Sequence, residues 1–362
     1  METFTWKEIL GVLINSKDLS FDQAYWAMNE MMSGTATDSQ LAGLAVGLRV
    51  KGESVTEVSG MVAAMLANAI EVKLDRIAVD VVGTGGDGAH TVNISTMAAI
   101  TVAGAGIPVL KHGNRAISSQ AGTADVLEAL GVAINMPPSL LSSCVADAGI
   151  AFCFAPVHHP AMKYAGAVRK ELGIPTVFNV LGPLSNPGQP EASLLGCADL
   201  RLAPVLAQVQ LARGFKSIVV RSVDGLDELS TSAPTQIWDV TSGQLREETL
   251  TPESLGLAPA SIAELKGADA QFNAQVVLNV LSGRTDGNYR AIRDVVALNA
   301  AATMVAYDAA KGEERFGKVT DPVIARIKRA LPTAFGSIDS GAASTQLEVW
   351  ASVSQRFALT DS

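Results

Sequence analysis

Directly after an apolar run at residues 77–82 that reads as a β-strand, four glycines fall within six residues: Gly83, Gly85, Gly86 and Gly88. Glycine reaches backbone conformations closed to other residues and lets a ligand approach the main chain closely. Consecutive N–H groups in such a loop converge into an anion-binding nest. Asn93-Ile94-Ser95-Thr96 follows, then an alanine-rich run at 97–105 that reads as a helix. Ser95 or Thr96 then sits near the helix N-terminus, where free N–H groups and the dipole favour phosphate. Further on, Lys111-His112-Gly113-Asn114-Arg115 adds positive charge, while Ser118-Ser119 and Gly122-Thr123 add hydroxyls. Two anion-binding devices in tandem point to a ligand with phosphates at both ends. Alone, the glycine cluster reads equally as a tight turn, and it matches neither the P-loop nor the dinucleotide pattern.

Around this stretch, strand-like runs at 77–82, 107–110, 151–154 and 217–221 alternate with helical stretches. That alternation predicts an α/β domain with a central, largely parallel sheet. Before residue 77 there is no convincing strand. Ser20-Phe21-Asp22-Gln23 and Ser54-Val55-Thr56-Glu57 both fit the capping box that opens a helix. Phe21, Ala24, Met28 and Met31 recur at helical spacing until Gly34, Leu41, Leu44 and Leu48 mark a second face, and Val58, Met61, Met65 and Leu66 a third. The N-terminal part therefore reads as a small helical bundle with its methionines in the core. The fold class is α/β: a small helical-bundle domain plus a large α/β domain. Residues 246–266 read as loop and turn, and 311–318 as a charged surface segment. The stretches 267–270 with Asn273, Arg293-Asp294 with Asn299, and 338–341 read as packing and turn residues without chemistry of their own.

At 362 residues, two domains are the starting expectation. A net charge of -9 argues against a nucleic-acid-binding surface. Cys144, Cys153 and Cys197 show no C-x-x-C spacing and read as reduced thiols of a cytosolic protein. No charged-then-apolar leader opens the sequence, and its longest uncharged run, 88–110, is broken by Asn93, Gly104, Gly106 and Pro108, so neither export nor a membrane span is expected.

Three further groups are candidates for chemistry. His158 and His159 are adjacent but lack a clustered third ligand, so they read as structural. Arg169 lies on a helix after that pair, where a lone arginine most often faces solvent. Asp224-Gly225-Leu226-Asp227-Glu228 follows the strand at 217–221, at the end of a parallel strand that α/β sheets use for ligands. An acidic surface turn is the plain reading. With a phosphate-binding loop elsewhere in the chain, magnesium becomes a reasonable partner, because it takes one or two carboxylates plus phosphate oxygens and waters.

Taken together, 83–87, 93–96 and 111–115 closely resemble the motifs of the anthranilate phosphoribosyltransferase family, within the nucleoside phosphorylase and phosphoribosyltransferase superfamily with a glycosyltransferase family 3 fold. The resemblance continues through Ala167-Val168-Arg169, Phe178-Asn179-Val180-Leu181-Gly182-Pro183 and the acidic turn, and spans nearly the whole chain. It implies transfer of phosphoribose from 5-phosphoribosyl pyrophosphate (PRPP) to the amine of anthranilate in tryptophan biosynthesis, with release of pyrophosphate. By resemblance, PRPP contacts fall on Gly83, Gly86, Asp87, Thr91, Asn93, Ile94, Ser95, Thr96, Lys111, His112, Gly113, Asn114, Arg115, Ala116, Ile117, Ser118, Ser119 and Thr123. Anthranilate is implied at Gly83, His112, Asn114, Arg169, Gly182 and Pro183, with the carboxylate on Arg169. A planar guanidinium suits that role because it binds both carboxylate oxygens. Magnesium is implied at Ser95, Asp227 and Glu228. Lys111, Asn114, Arg169, Asp227 and Glu228 are the implied catalytic set.

The same resemblance implies an N-terminal domain of residues 1–75 with 165–195 packed back onto it, a large domain of 76–164 and 196–362, a homodimer through the helical module, and a cytoplasmic enzyme. Ala121 stands where the family often carries a hydroxyl, which bears on PRPP affinity. The rival readings are a pyrimidine nucleoside phosphorylase and a non-catalytic relative that binds nucleic acid. Lys-His-Gly-Asn with Arg169 in its motif favours the anthranilate reading over the first, and Asp227-Glu228 with the acidic balance over the second.

Overall fold

A computed structural model describes residues 4–116 and 120–359. The chain opens with four helices: α1 (Trp6–Ile14), α2 (Phe21–Met32), α3 (Asp38–Lys51) and α4 (Val55–Ala67). Each starts with a reciprocal capping box, Ser20 with Gln23 and Ser54 with Glu57 as expected, and Thr5 with Glu8 and Thr37 with Gln40 besides. Such a cap contributes about 1 kcal/mol by satisfying N–H groups that have no partner inside the helix. Met28, Met31, Met61 and Met65 are buried between these helices, as core residues.

Seven strands form one sheet among the described residues: β1 (Val79–Gly83), β2 (Val109–Gly113), β3 (Ile150–Phe154), β4 (Ala192–Gly196), β5 (Lys216–Ser222), β6 (Thr235–Asp239) and β7 (Arg246–Leu250). Their spatial order is β3-β2-β1-β4-β5-β6-β7. The first five run parallel, and β6 and β7 add an antiparallel edge. The expectation of loop over 246–266 is corrected by β7, which pairs residue for residue with β6. It is an edge strand with only Leu250 fully buried, so Arg246, Glu247 and Glu248 sit in it without cost and hide it from a search for apolar runs. Strand β2 also runs three residues beyond its expected end. Lys111, His112 and Gly113 lie in the ladder opposite Phe152, Cys153 and Phe154.

Alternating side chains send the sheet into two cores. Leu194, Ile218, Val220 and Ile237 face a core shared with the helices Ile94–Gly104 and Tyr289–Lys311. Leu195, Val219 and Trp238 face the other, shared with Ala203–Ala212, the N-terminal helices, and Val168, Val177, Phe178, Val180, Leu181 and Leu184.

The chain places β2 on one side of β1 and β4 on the other, with β1 and β4 in register from Val79↔Ala192 to Gly83↔Gly196. Where successive connections leave a parallel sheet in opposite directions, a crevice opens beyond the carboxyl ends of the strands. Here it opens above Gly83 and Gly196.

Candidate active site

The glycine loop leaves β1 over this crevice. Gly85, Gly86 and Gly88 take positive φ values of 65°, 80° and 66°, the conformation that other residues resist. Gly83 is needed for a different reason: a β-carbon there would collide with the Asp227 carboxylate. The acidic turn after β5 lies directly over the loop. Asp227 Oδ2 accepts the Gly85 N–H at 2.7 Å, and Glu228 Oε1 accepts the Ser95 N–H at 3.1 Å, at the start of the helix Ile94–Gly104. Lys111 Nζ comes up from β2, fully buried, and donates to Val81 O at 2.6 Å and to Ser95 Oγ at 3.4 Å. Two backbone N–H groups, two carboxylates and one ammonium thus converge from four separate segments.

Burial dominates the electrostatics here. It pushes Asp227 up to about 6, helped by the Asp87 carboxylate, and Glu228 well above the usual range, helped by Asp227. Burial also pulls Lys111 down, against the opposing pull of Asp80, Glu228 and Asp227. A charged oxygen-rich ligand or a cation brought to this point would relieve the mutual cost, since each buried charge lacks the hydration it had in water.

The other candidates are spread around this centre. Asp87 caps Ala89 N at 3.1 Å, and Thr91 bridges to Lys266. Ile94 and Thr96 are buried, and Thr96 Oγ1 has no hydrogen-bond partner among the described residues. Asn114 Oδ1 accepts the Arg115 N–H at 2.7 Å. Arg115 turns its guanidinium to Asp125 at 2.9 Å and Glu128 at 2.6 Å, over the Phe154 ring. Asp125 Oδ2 also accepts the N–H groups of Ala116 and Gly122, at 3.0 and 2.9 Å. Thr123 begins the helix Thr123–Ala129. Ile117, Ser118 and Ser119 lie outside the described residues.

A second set of polar groups surrounds His112. Its backbone N–H donates to Asp80 Oδ1 at 3.1 Å, and its Nδ1 lies 3.0 Å from Gly182 O. A carbonyl can only accept, so Nδ1 carries the proton and Nε2 keeps a lone pair. That Nε2 is buried without a protein partner among the described residues. Burial, with His159 next in effect, pulls His112 down to about 3, and burial pulls His159 down to about 4, so both rings are neutral at pH 7. His159 meets His112 edge-on at 5.5 Å and donates from Nε2 to Ser185 O at 2.8 Å. His158 instead pins Ile70 O at 3.1 Å, so both histidines are structural tethers, as their spacing suggests. Pro183 is buried beside Gly182 in the helix Phe178–Leu184. Arg169, on Gly166–Leu172, is half-buried, and burial alone pulls its guanidinium down. No hydrogen bond or ion pair neutralises it among the described residues.

Sequence reasoning missed the residues that hold this machinery in place. Asn299 accepts the Leu229 N–H at 3.1 Å and donates to Leu229 O at 2.9 Å, bracketing the backbone next to Glu228. Asp80 is buried and raised to about 6 by burial, with Lys111 and Asn186 opposing. It accepts Asn186 Nδ2 at 2.9 Å as well as His112 N, and so joins β1, β2 and the wall that carries Gly182. Asp224 accepts from Ser230, Ser232 and the Leu226 N–H, which makes it a turn residue.

Comparison with known proteins places this geometry. A family model for the glycosyl transferase family, a/b domain, matches residues 75–344, and one for the helical bundle domain of that family matches residues 7–69. The anthranilate phosphoribosyltransferase of Salinispora arenicola is 49% identical over 353 residues, 96% of each chain. The chain belongs to the anthranilate phosphoribosyltransferase family. Among solved members, the Thermus thermophilus enzyme superposes with a TM-score of 0.86 at 36% identity, over 96% of this chain and 99% of that one. The Saccharomyces cerevisiae family member in complex with PRPP and Mg superposes with a TM-score of 0.84 at 28% identity, over 97% and 98%.

Proposed function

We propose that this chain transfers the phosphoribosyl group of PRPP to the amine of anthranilate in tryptophan biosynthesis, releasing pyrophosphate. The observation that carries the reading is the convergence of the Gly85 and Ser95 N–H groups, Asp227, Glu228 and Lys111 over the β1/β4 crevice. In the reaction the C1–O bond to pyrophosphate breaks, the amine nitrogen bonds to C1, and the nitrogen loses one proton to water. An aromatic amine is neutral at pH 7, so no strong base is required. Catalysis then rests on positioning and on stabilising the charge of the departing pyrophosphate.

PRPP lies along Gly83, Gly86, Asp87, Thr91 and 93–96, with Lys111 as its buried cation and 112–116 with Thr123 alongside it; the proposed contacts extend to Ile117, Ser118 and Ser119, which lie outside the described residues. Arg115 contributes by anchoring that segment to Asp125 and Glu128, since its guanidinium is already paired. Anthranilate lies by Gly83, His112, Asn114, Gly182 and Pro183, its carboxylate on Arg169. A guanidinium withdrawn from water, with no anion beside it among the described residues, is matched in charge and shape to a carboxylate. Neutral His112 adds an acceptor nitrogen whose orientation Gly182 O dictates.

The donor set fits magnesium. Asp227, Glu228 and Ser95 offer oxygen atoms only, and no cluster of three or more His, Cys, Asp or Glu among the described residues forms a closed metal cage. Magnesium takes few protein ligands and completes its shell with phosphate oxygens and water. When bound, it supplies positive charge beside the leaving pyrophosphate.

In this reading residues 1–75 and 165–195 form one discontinuous domain, 76–164 and 196–362 the other, and the cleft lies between them. The shared core of the N-terminal helices with Val168, Phe178 and Leu181 supports that division. Two copies pair through α1–α4, where Ile14 and Val50 are 82% and 81% exposed. Light scattering that gives only monomer at micromolar concentration contradicts the pairing. No described helix is long and apolar enough to cross a membrane. The activity is tested by mixing the protein with anthranilate, PRPP and magnesium. Anthranilate fluorescence should fall only when all are present, and unchanged fluorescence contradicts the reading.

A further inference from the structure

Asn273 lies in the first turn of its helix, Ala270–Leu281, far from the glycine loop in sequence, yet it is only 2% exposed and reaches Asn93. The Ala268 N–H donates to its Oδ1 at 2.9 Å. A backbone N–H can only donate, so the amide orientation of Asn273 is settled: Oδ1 faces Ala268 and Nδ2 faces outward. That Nδ2 donates at 2.9 Å to Asn93 Oδ1. Asn93 must therefore offer its oxygen to Asn273 and turn its own Nδ2 the other way. The far side agrees, because Asn93 Nδ2 lies 3.5 Å from Ala121 O, another pure acceptor. At that length the contact is at the weak limit of a hydrogen bond, which leaves the Asn93 donor nearly uncommitted.

The backbone around this pair is braced in the same way. Val92 N donates to Leu265 O at 2.9 Å and Gly267 N to His90 O at 2.9 Å, so 265–273 backs the whole approach to Asn93. We infer that Asn273 is a positioning residue for PRPP binding: it relays the polarity of the Ala268 N–H through two amides, so that Asn93 meets the ligand as a hydrogen-bond donor. The inference rests on the proposed PRPP site. Asn273 touches no ligand, yet it ensures that an anion is met by N–H and never by the Asn93 oxygen.

Asn273→Asp tests the polarity at almost constant shape. The substituted carboxylate still accepts from Ala268 but has nothing to donate, so Asn93 turns its Nδ2 inward and shows its oxygen to PRPP. Titration calorimetry with PRPP and magnesium should show affinity lower by roughly 10- to 100-fold, the range for losing a hydrogen bond to a charged group. In an Asn93→Ala background the same change should cost almost nothing, because the relayed group is gone. A merely structural role gives equal losses in both backgrounds and overturns the inference, as does wild-type affinity in N273D. If N273D does not fold, Asn273→Ala removes the relay without adding charge; it should lose PRPP affinity at least several-fold, and full affinity there also overturns the inference. Failure of the wild-type protein to bind PRPP would instead remove the functional reading beneath it.

Discussion

On the glycine-loop side of the cleft, Asp227 and Glu228 hold the N–H groups of Gly85 and Ser95, and Lys111 holds Val81 O. On the histidine side, Nε2 of His112 and Nδ1 of His159 have no protein partner among the described residues, and neither has the guanidinium of Arg169, which the proposed reading assigns to the same pocket. In the first region the carboxylates and the ammonium already hold backbone groups, so in the proposed reading a polyanion binds there by exchanging partners with groups in place. The second combines neutral rings with, in the proposed reading, one arginine, and so suits a flat apolar molecule with a single carboxylate. Burial shapes both: it raises Asp227 and Glu228 and lowers Lys111 in the first, and it lowers His112 and His159 in the second. In the proposed reading the cleft therefore separates donor from acceptor by the kind of polar satisfaction each offers.

The sharpest way to break this contrast is at Arg169. Removing one partner of a buried, hydrogen-bonded charge pair costs about 2–5 kcal/mol. At about one decade per 1.36 kcal/mol, Arg169→Ala should lose roughly 30-fold to a few thousand-fold in kcat/KM for anthranilate. Arg169→Lys keeps the charge without the two-pronged geometry and should recover only part. Steady-state kinetics with anthranilate varied at saturating PRPP provides the measurement, and wild-type kcat/KM in R169A would remove the carboxylate contact.

On the glycine-loop side, Lys111→Ala should weaken PRPP by roughly 10- to 100-fold while direct contacts to anthranilate survive. The pair Asp227→Asn and Glu228→Gln should lower turnover at limiting magnesium with thermal stability intact, since the amides still fill the same space. Full turnover in that double variant at limiting magnesium would take the metal away from these two residues.

The smallest effect is the pH response of the histidine side. The pKa of His159 falls from 6.5 to about 4 on folding, chiefly through burial. Its stability contribution is therefore present above pH 6.5 and is lost as pH falls through about 4, because the unfolded chain takes up the proton first. Asp80 works in the opposite sense: its stabilisation is full below about 3.8 and is lost as pH rises through about 6. The comparison must therefore be a difference curve. Melting temperatures of wild type minus His159→Gln should decline from pH 7 to pH 4, and a flat difference would mean that His159 is not held neutral by burial.

How much of this was legible beforehand depends on where each residue's partners lie. Strands β1, β2, β3 and β5 read as apolar runs; β4 and β6 went unread because Ala192, Ser193 and Gly196 in one and Thr235, Gln236 and Asp239 in the other dilute the apolar signal, and β7 is charged on its open face. The glycine loop, Lys111 and the acidic turn were visible because their spacing is local. The roles of Asn273, Asn299 and Asp80 were not, because each is defined by a contact far off in sequence: Asn273 with Asn93 across 180 positions, Asn299 with Leu229 across 70, Asp80 with Asn186 across 106. One asparagine near a helix start carries no mark of the partner it will meet. Arg115 shows the converse: its motif suggested a ligand contact, and only the fold reveals Asp125 and Glu128 around its guanidinium.

The central claim is that donor and acceptor are held by two separable halves of one cleft, and titration calorimetry of Arg169→Ala with PRPP and magnesium tests it most directly. The account predicts PRPP affinity equal to wild type, because Gly85, Ser95, Lys111, Asp227 and Glu228 are untouched by the change. A loss of PRPP affinity as large as that caused by Lys111→Ala would contradict it.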